Sequence, residues 1–264
     1  MKLSQNNRSQ DNPKRVDRDK KLFDSIAEGY FGKDVSPASR YARSLRVTQT
    51  FRRIPETGLP RILEAGCGGG FSASYLAGTY SSFLGFDYSK ELISLANTFN
   101  SSDFTKFIEG DATTIVFDEE FDVLLLIGVI HHIDSPELAL KNLIRFLRPG
   151  GWVAVNEPQR SNPLIRAARA ARKALDRNYS DEQDQYSPNE LTQLLSAAGL
   201  ENVQLSPQGF FSTPFAEVIM PLQGLMKPIS HVACELDRRI ERQPWPALMA
   251  TSWNIIGVGR VPDI

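Results

Sequence analysis

Apolar positions along this chain follow two rhythms. Leu22, Phe23, Ile26, Ala27 and Tyr30 recur at helical spacing and predict a short helix over 22–31. Tyr41, Leu45, Val47 and Phe51, set among several arginines, predict a second helix over 37–54, with Ser36 as its cap and Pro37 in its first turn. From Arg61 the pattern changes to short apolar runs over 61–65, 83–86, 104–108, 121–127 and 152–155, each of strand length. Helix starts lie between them: Ser89 precedes Lys90-Glu91-Leu92-Ile93, and Asp134-Ser135-Pro136 opens a helix over 137–147. Strand and helix in strict alternation imply a parallel sheet with right-handed crossovers.

After Leu147 the sequence Arg148-Pro149-Gly150-Gly151 breaks the helix and turns into the next strand. Ser187-Pro188-Asn189-Glu190 is a capping box for a helix that runs to Ala198 and closes at Gly199. Two more β-like runs follow, over 203–211 and 252–258. Insertions interrupt this order at 159–186 and 213–250. The first contains a helix over 161–177 with Leu164, Ala168, Ala171 and Leu175 on one face and Arg166, Arg169, Lys173 and Arg177 on the other. The second carries Phe215, Val218, Ile219, Met220, Leu222, Leu225, Met226, Trp245 and Met249. Both leave the sheet at the end where strands pass into helices, the side that holds the ligand crevice of an open α/β sheet. They are therefore read as a lid and a substrate pocket, against the alternative that they pad the core.

Composition narrows the class. With 264 residues, 41% hydrophobic and 23% charged, the chain is ordinary for one large α/β domain, and a net charge of -1 gives no reason to expect a nucleic-acid partner. The first 21 residues hold Lys2, Arg8, Lys14, Arg15, Arg18, Lys20 and Lys21 among polar neighbours and read as a disordered basic tail. The rest, 22–264, reads as a single domain, with cap helices over 22–58 and a cofactor-binding core over 59–158. No apolar run is long enough to span a bilayer, and Cys67 and Cys234 suggest neither a disulfide framework nor a metal site, so a cytoplasmic protein is expected.

Candidate chemistry starts at Ile62-Leu63-Glu64-Ala65-Gly66-Cys67-Gly68-Gly69-Gly70, where a strand ends in an acid and enters a glycine loop. Such a loop lets a ligand approach the backbone, and the helix after it offers free N–H groups. The dinucleotide fingerprint needs a third glycine where this chain has Phe71, and Glu64 would repel a pyrophosphate while suiting an ammonium. Asp87, ending the second strand, is placed to take the hydroxyls of a ribose. Asp111, ending the third, is placed to accept from the exocyclic amine of adenine, with Tyr88 and Ala112 as walls for the ring. Each acid alone could be a helix cap. Together they form a constellation.

ILEAGCGGG, GFDYS, EGDA, FDVLLLIGVIHHI and LRPGG resemble, in order and spacing, the successive motifs of the Rossmann-like (class I) S-adenosylmethionine-dependent methyltransferases. Phe23-Asp24-Ser25-Ile26-Ala27-Glu28-Gly29-Tyr30 is similar to the entry helix of the small-molecule branch that includes the quinone-biosynthesis enzymes, except that Phe31 stands where that branch has an aspartate. The resemblance covers about 22–158. It implies a doubly wound, mostly parallel seven-stranded α/β sheet with an antiparallel last strand, helices on both faces, an N-terminal helical cap and lid insertions. It also implies that the cofactor is S-adenosylmethionine, leaving as S-adenosylhomocysteine. Glu64, Ala65, Gly66, Cys67 and Gly68 would then hold the methionine end, Asp87 the ribose and Asp111 the adenine. Ile127 and Gly128 would line the cofactor, and Tyr30 would close over it.

Methyl transfer needs alignment and exclusion of water, and a hydroxyl or protonated amine also needs a base. His131 and His132 follow the fourth strand and are candidates, either as that base or as packing and capping for the next helix. Glu157, at the end of the fifth strand, either binds substrate or caps the segment after it. Position 127–130 lacks the D/N-P-P-Y/F segment of nucleic-acid amino methyltransferases. Phe211 and Phe215 introduce the apolar second insertion and suggest an apolar, aromatic or lipid-like small-molecule acceptor. The expectation is O-methylation. C- or N-methylation, aminopropyl transfer and a non-catalytic cofactor-binding scaffold are the alternatives. The basic face at 166–177 is either solvated or in peripheral contact with an anionic membrane.

Overall fold

The computed structural model describes residues 13–55, 58–163, 185–243 and 246–263. Two helices lead, α1 (Pro13–Val35) and α2 (Pro37–Phe51), and are followed by β1 (Arg61–Ala65), α3 (Phe71–Tyr75), β2 (Ser82–Asp87), α4 (Lys90–Phe99), β3 (Thr105–Glu109) and β4 (Phe121–Ile127). A 3₁₀ turn over Ile130–His132 leads to α5 (Pro136–Ile144), β5 (Leu147–Pro158), α6 (Pro188–Ala197) and β6 (Glu201–Gln208). The last part comprises α7 (Thr213–Glu217), α8 (Gln223–Ile240), α9 (Pro246–Thr251) and β7 (Asn254–Arg260).

The seven strands form one sheet in the order β3-β2-β1-β4-β5-β7-β6, with β7 antiparallel to both of its neighbours. The expected doubly wound sheet is present. Its order reverses between β1 and β4, so the crevice opens at the C-terminal ends of these two strands. Successive side chains of the central strands serve two cores. Leu63, Leu124, Leu126, Val153 and Val155 face one layer of helices, while Ile62, Val123, Leu125 and Ala154 face the other. Among the described residues no helix is long and apolar enough to cross a membrane.

Several expectations change at the edges. Of the stretch expected to be a disordered tail over 1–21, residues 13–21 are helical, because α1 begins at Pro13; residues 1–12 lie outside the described residues. Lysine and aspartate in this stretch tie the helix to the sheet rather than solvating a free arm: Lys20 pairs with Glu109 at 2.6 Å. Ser36 does sit before α2, but its hydroxyl donates to the Gly32 carbonyl at 2.8 Å and gives α2 no side-chain cap. The helix expected over 137–147 ends at Ile144, because Leu147 already pairs with Phe121 as the start of β5. Pro149 and the glycines are absorbed as a register shift in that strand, not as a free turn. Ser89 and Ser187 cap α4 and α6 as their sequences require.

Of the two insertions, residues 164–184 of the first lie outside the described residues, and with them the basic face at 166–177. The second becomes α7, α8 and α9, although Trp245 is outside the described residues. Helix α8 lies on α2: the Ser230 hydroxyl donates to the Ala38 carbonyl at 2.8 Å, and Cys234 packs with Ala42 and Leu45. The insertion thereby joins the N-terminal helices in one roof.

Candidate active site

The glycine loop is held by geometry that only glycine satisfies. Gly66 has φ +67°, and a Cβ there would lie 2.4 Å from Val129, on the loop after β4. The two crevice loops thus touch across the switch point. From this loop the Gly68 N–H donates to one oxygen of Asp87 at 2.9 Å, while the Ser89 N–H donates to the other at 2.9 Å. Burial raises the Asp87 carboxyl to about 6, against the pull of those two N–H groups. Glu64 goes further. Burial pushes it to about 8, with a hydrogen bond from Ser72 opposing and the charge of Asp87 reinforcing, and its Oε2 is buried without a hydrogen-bond partner. A buried carboxylate oxygen with no donor is a strong acceptor waiting for a cation or N–H. The Tyr88 hydroxyl is also buried without a partner.

Helix α1 crosses above these strand ends. Phe23 stands edge-on to Tyr30, Tyr88 and His132, with ring centroids 5.9, 6.0 and 5.3 Å away. Asp24 accepts from the Ser89 hydroxyl at 2.6 Å. Tyr30 lies over the glycine loop, its ring 3.3 Å from where a Cβ on Gly68 would be. Phe31 packs against Phe71 and Phe99 at 4.9 and 5.0 Å, so this position serves the loop's hydrophobic support. A buried acid appears one turn later instead: Asp34 accepts from Arg43 at 2.6 Å and from the Tyr75 hydroxyl at 2.8 Å.

At the end of β4 the two histidines take different surroundings. His131 Nδ1 is 2.7 Å from Glu157 Oε2, and Glu157 Oε1 accepts the Val129 and Ile130 N–H groups at 2.9 Å each. Glu157 is fully buried. The sequence left this carboxylate as either a substrate ligand in the crevice or a cap for the segment after β5; it is instead bonded to His131 and to the backbone after β4. His132 stacks against His131 with centroids 4.1 Å apart and lies 3.9 Å from Asp19 of α1.

Beside Tyr30 a group of charges converges from three helices. Arg43 lies 5.0 Å from the Tyr30 ring centre and Lys33 5.2 Å. Arg46 pairs with Glu217 of α7 at 3.0 Å, donates to Asn156 at 3.1 Å, and places its Nη2 3.0 Å from where a Cβ on Gly128 would be. Burial alone would raise Glu217, but Arg46, Lys33 and Arg43 outweigh it and hold the carboxyl below its usual range. Lys33 is lowered, first by burial and then by its cationic neighbours. Glu217 is nonetheless half-exposed, so it faces solvent-reached space among these groups.

Glu64, Gly66, Gly68, Asp87, Tyr88, Tyr30, Gly128 and both histidines therefore surround one crevice. Ala65 ends β1 in the core, the Cys67 thiol is buried with its pKa pushed up, and Ile127 closes β4. Asp111 lies at the exposed end of β3, where its Oδ1 accepts from Thr113 N and Oγ1 at 2.7 and 2.6 Å, and Ala112 leans on the core beside it. Phe215 does not join this group. It packs against Ala42, Leu45 and Cys234 between α2, α7 and α8, while Phe211 is exposed with its N–H on Asp237 at 3.0 Å. Sequence reasoning missed Lys33, Asp34, Arg43, Arg46, Tyr75 and Glu217. The one local signal was Arg43 and Arg46 three residues apart on a helix otherwise buried along that side, which marks a face turned inward.

The crevice fits an adenosyl cofactor with an amino-acid end on this structure's own terms: an orphan carboxylate oxygen stands beside a glycine cradle, and an acid ends the neighbouring strand. Residues 63–155 match the family model described as a methyltransferase domain. The chain is 28% identical over 183 residues to the ubiquinone biosynthesis O-methyltransferase of Thiobacillus denitrificans, a match spanning 66% of this chain and 77% of that protein. It is 35% identical over 107 residues to a phthiotriol/phenolphthiotriol dimycocerosates methyltransferase of Mycobacterium ulcerans, spanning 39% and 40%. Among solved structures, a methyltransferase of Thermotoga maritima described as a possible histamine N-methyltransferase shares the fold, with TM-score 0.63 at 20% identity over 91% of this chain and 98% of that one.

Proposed function

We propose that this chain is a Rossmann-like S-adenosylmethionine-dependent methyltransferase that methylates an oxygen of a small acceptor with apolar, aromatic or lipid-like surface. The observation that carries this reading is the His131–Glu157 pair at 2.7 Å. With Nδ1 committed to a buried carboxylate that is itself anchored by two backbone N–H groups, the ring is fixed in orientation and tautomer, and Nε2 becomes its basic nitrogen. Such a base removes the proton of a hydroxyl as oxygen attacks. His132, stacked on it beneath Phe23, helps to close that part of the crevice against water.

Bound S-adenosylmethionine supplies a methyl group on a positively charged sulfur. Glu64 Oε2 would take its ammonium, Asp87 its ribose hydroxyls, and Asp111 with Tyr88 and Ala112 its adenine. The backbone of Ala65, Gly66, Cys67 and Gly68 would follow the methionine end, with Ile127 and Gly128 along the other side and Tyr30 above. The positive charge of Lys33 and Arg43 about Tyr30 suits the cofactor's carboxylate. Arg46 and Glu217 then face the acceptor, where an ionised, half-exposed carboxylate can accept from a second polar group. The relatives named for ubiquinone biosynthesis and for phthiotriol/phenolphthiotriol dimycocerosates support an apolar acceptor. A cytoplasmic location belongs to the same proposal, supported by two buried free thiols.

The test is S-adenosylhomocysteine formation with a panel of phenols, hydroxy acids, fatty acids and amines, each with wild type and His131→Gln. Turnover of a hydroxyl acceptor that falls in His131→Gln supports the reading. Turnover confined to amines or to carbon would replace it with N- or C-methylation. Thermal shift by the cofactor with no turnover on any class would point to a scaffold.

A further inference from the structure

Helix α8 shows two opposite faces. Ser230, Ala233, Cys234 and Asp237 are buried against α2 and the loop before α7. On the outer side, Leu222 at its start, then Leu225, Ile229, Val232 and Leu236 are all exposed, between 43% and 74%. Their spacing of three and four residues in alternation lays them along one line. Fourteen residues at about 1.5 Å each make this line roughly 21 Å long. No described residue covers it.

Charge on this helix is sorted in the same way. The acids Asp237 and Glu241 point inward and accept the N–H groups of Phe210, Phe211, Ser212 and Gly209. Arg239 follows Leu236 by three residues and so extends the line at the C-terminal end of the helix, where it meets the exposed Glu235 at 3.2 Å, and Arg242 is exposed just beyond it. The outer surface therefore combines an apolar line with cations at its C-terminal end. At its start the line continues through exposed Ile219, whose Cδ1 comes within 3.4 Å of where a Cβ on Gly32 would lie, next to Lys33. Glu217 precedes it by two residues. The apolar surface thus leads to the acceptor side of the crevice.

We infer that the outer face of α8 docks on the surface of an anionic lipid bilayer. An apolar line with cations beside it suits a helix settled into an anionic headgroup boundary. A second copy of this chain fits less well, since a line one helix wide offers on the order of 200 Å², against about 800 Å² per partner in a stable interface. Docking through this face does not depend on which acceptor atom is methylated.

The full chain is tested by co-sedimentation with vesicles of phosphatidylcholine alone and with about 30% phosphatidylglycerol. Wild type should bind the anionic vesicles and release as salt rises. Leu225→Ser/Val232→Ser should bind at least about tenfold more weakly, with melting temperature and the thermal shift by S-adenosylmethionine unchanged, because both side chains are exposed. Arg239→Gln/Arg242→Gln should lose the preference for anionic lipid. Wild type left in the supernatant with both vesicle types overturns the inference, as does equal binding by the serine variant. So does a wild-type dimer in light scattering that the serine variant turns into monomer.

Discussion

Replacing Glu64 by glutamine separates the two things this residue does. Burial holds its carboxyl at about 8 instead of 4.5. A carboxyl raised in this way supports the fold only while protonated, so its contribution is fully present below pH 4.5 and is lost as pH rises through about 8. At roughly 1.4 kcal/mol per tenfold change in proton affinity, the loss by about pH 8 is on the order of 4 kcal/mol as a ceiling. Glutamine does not ionise, but its incompletely bonded amide keeps a burial cost of about 1–3 kcal/mol. Glu64→Gln should therefore be about 2 kcal/mol more stable than wild type near pH 8, raising Tm by roughly 4–8 °C, and should gain almost nothing near pH 5. Urea unfolding of the cofactor-free protein at both pH values measures this. Thermal shift measures the other half: the variant should respond far less to S-adenosylmethionine, while wild-type affinity tightens toward pH 8 as the carboxylate that meets the ammonium loses its proton. A variant no more stable than wild type near pH 8, and equally responsive to the cofactor, would refute the argument.

Other residues make separate claims. Asp87→Ala should abolish the thermal shift by S-adenosylmethionine and S-adenosylhomocysteine, whereas unchanged affinity would remove the ribose from this strand end. His131→Ala should lower kcat by about 10²- to 10⁴-fold, with His132→Ala retaining most activity. Similar losses in both, or in neither, would count against a single oriented base. Asp34→Ala strands a buried arginine held at 2.6 Å and the Tyr75 hydroxyl, and should cost about 3–5 kcal/mol in urea unfolding. Gly66→Ala meets both a φ of +67° and Val129 at 2.4 Å, and should lose cofactor binding; a variant with native affinity would mean that the two loops separate freely.

Much of the framework is local and therefore legible in the chain. Apolar runs of strand length, the capping box at Ser187 and the glycine loop ending β1 each express a rule that holds over a few residues, and together they determine the sheet, the crevice and the cofactor. The start of helix α1 is not legible locally, because its apolar spacing begins only at Leu22 and its contact with β3 through Lys20 and Glu109 joins residues far apart in the chain. The same limit explains the site. Glu157 looks from its strand position like a substrate ligand, but only packing shows that its carboxylate turns beneath the surface to orient His131. Phe215 looks like pocket lining until α2 and α8 enclose it. Arg43 and Arg46 look solvated on their own helix, and become a charged wall only when Asp34 and Glu217 arrive from elsewhere in the chain. The sequence by itself determined the methyl donor, because that site is built from strand ends and one loop whose chemistry is written locally. The tertiary structure decided which histidine is paired with a buried carboxylate, the charged wall of Arg43 and Arg46 and the exposed face of α8, because burial and charge pairing depend on which distant residues share the same few ångströms.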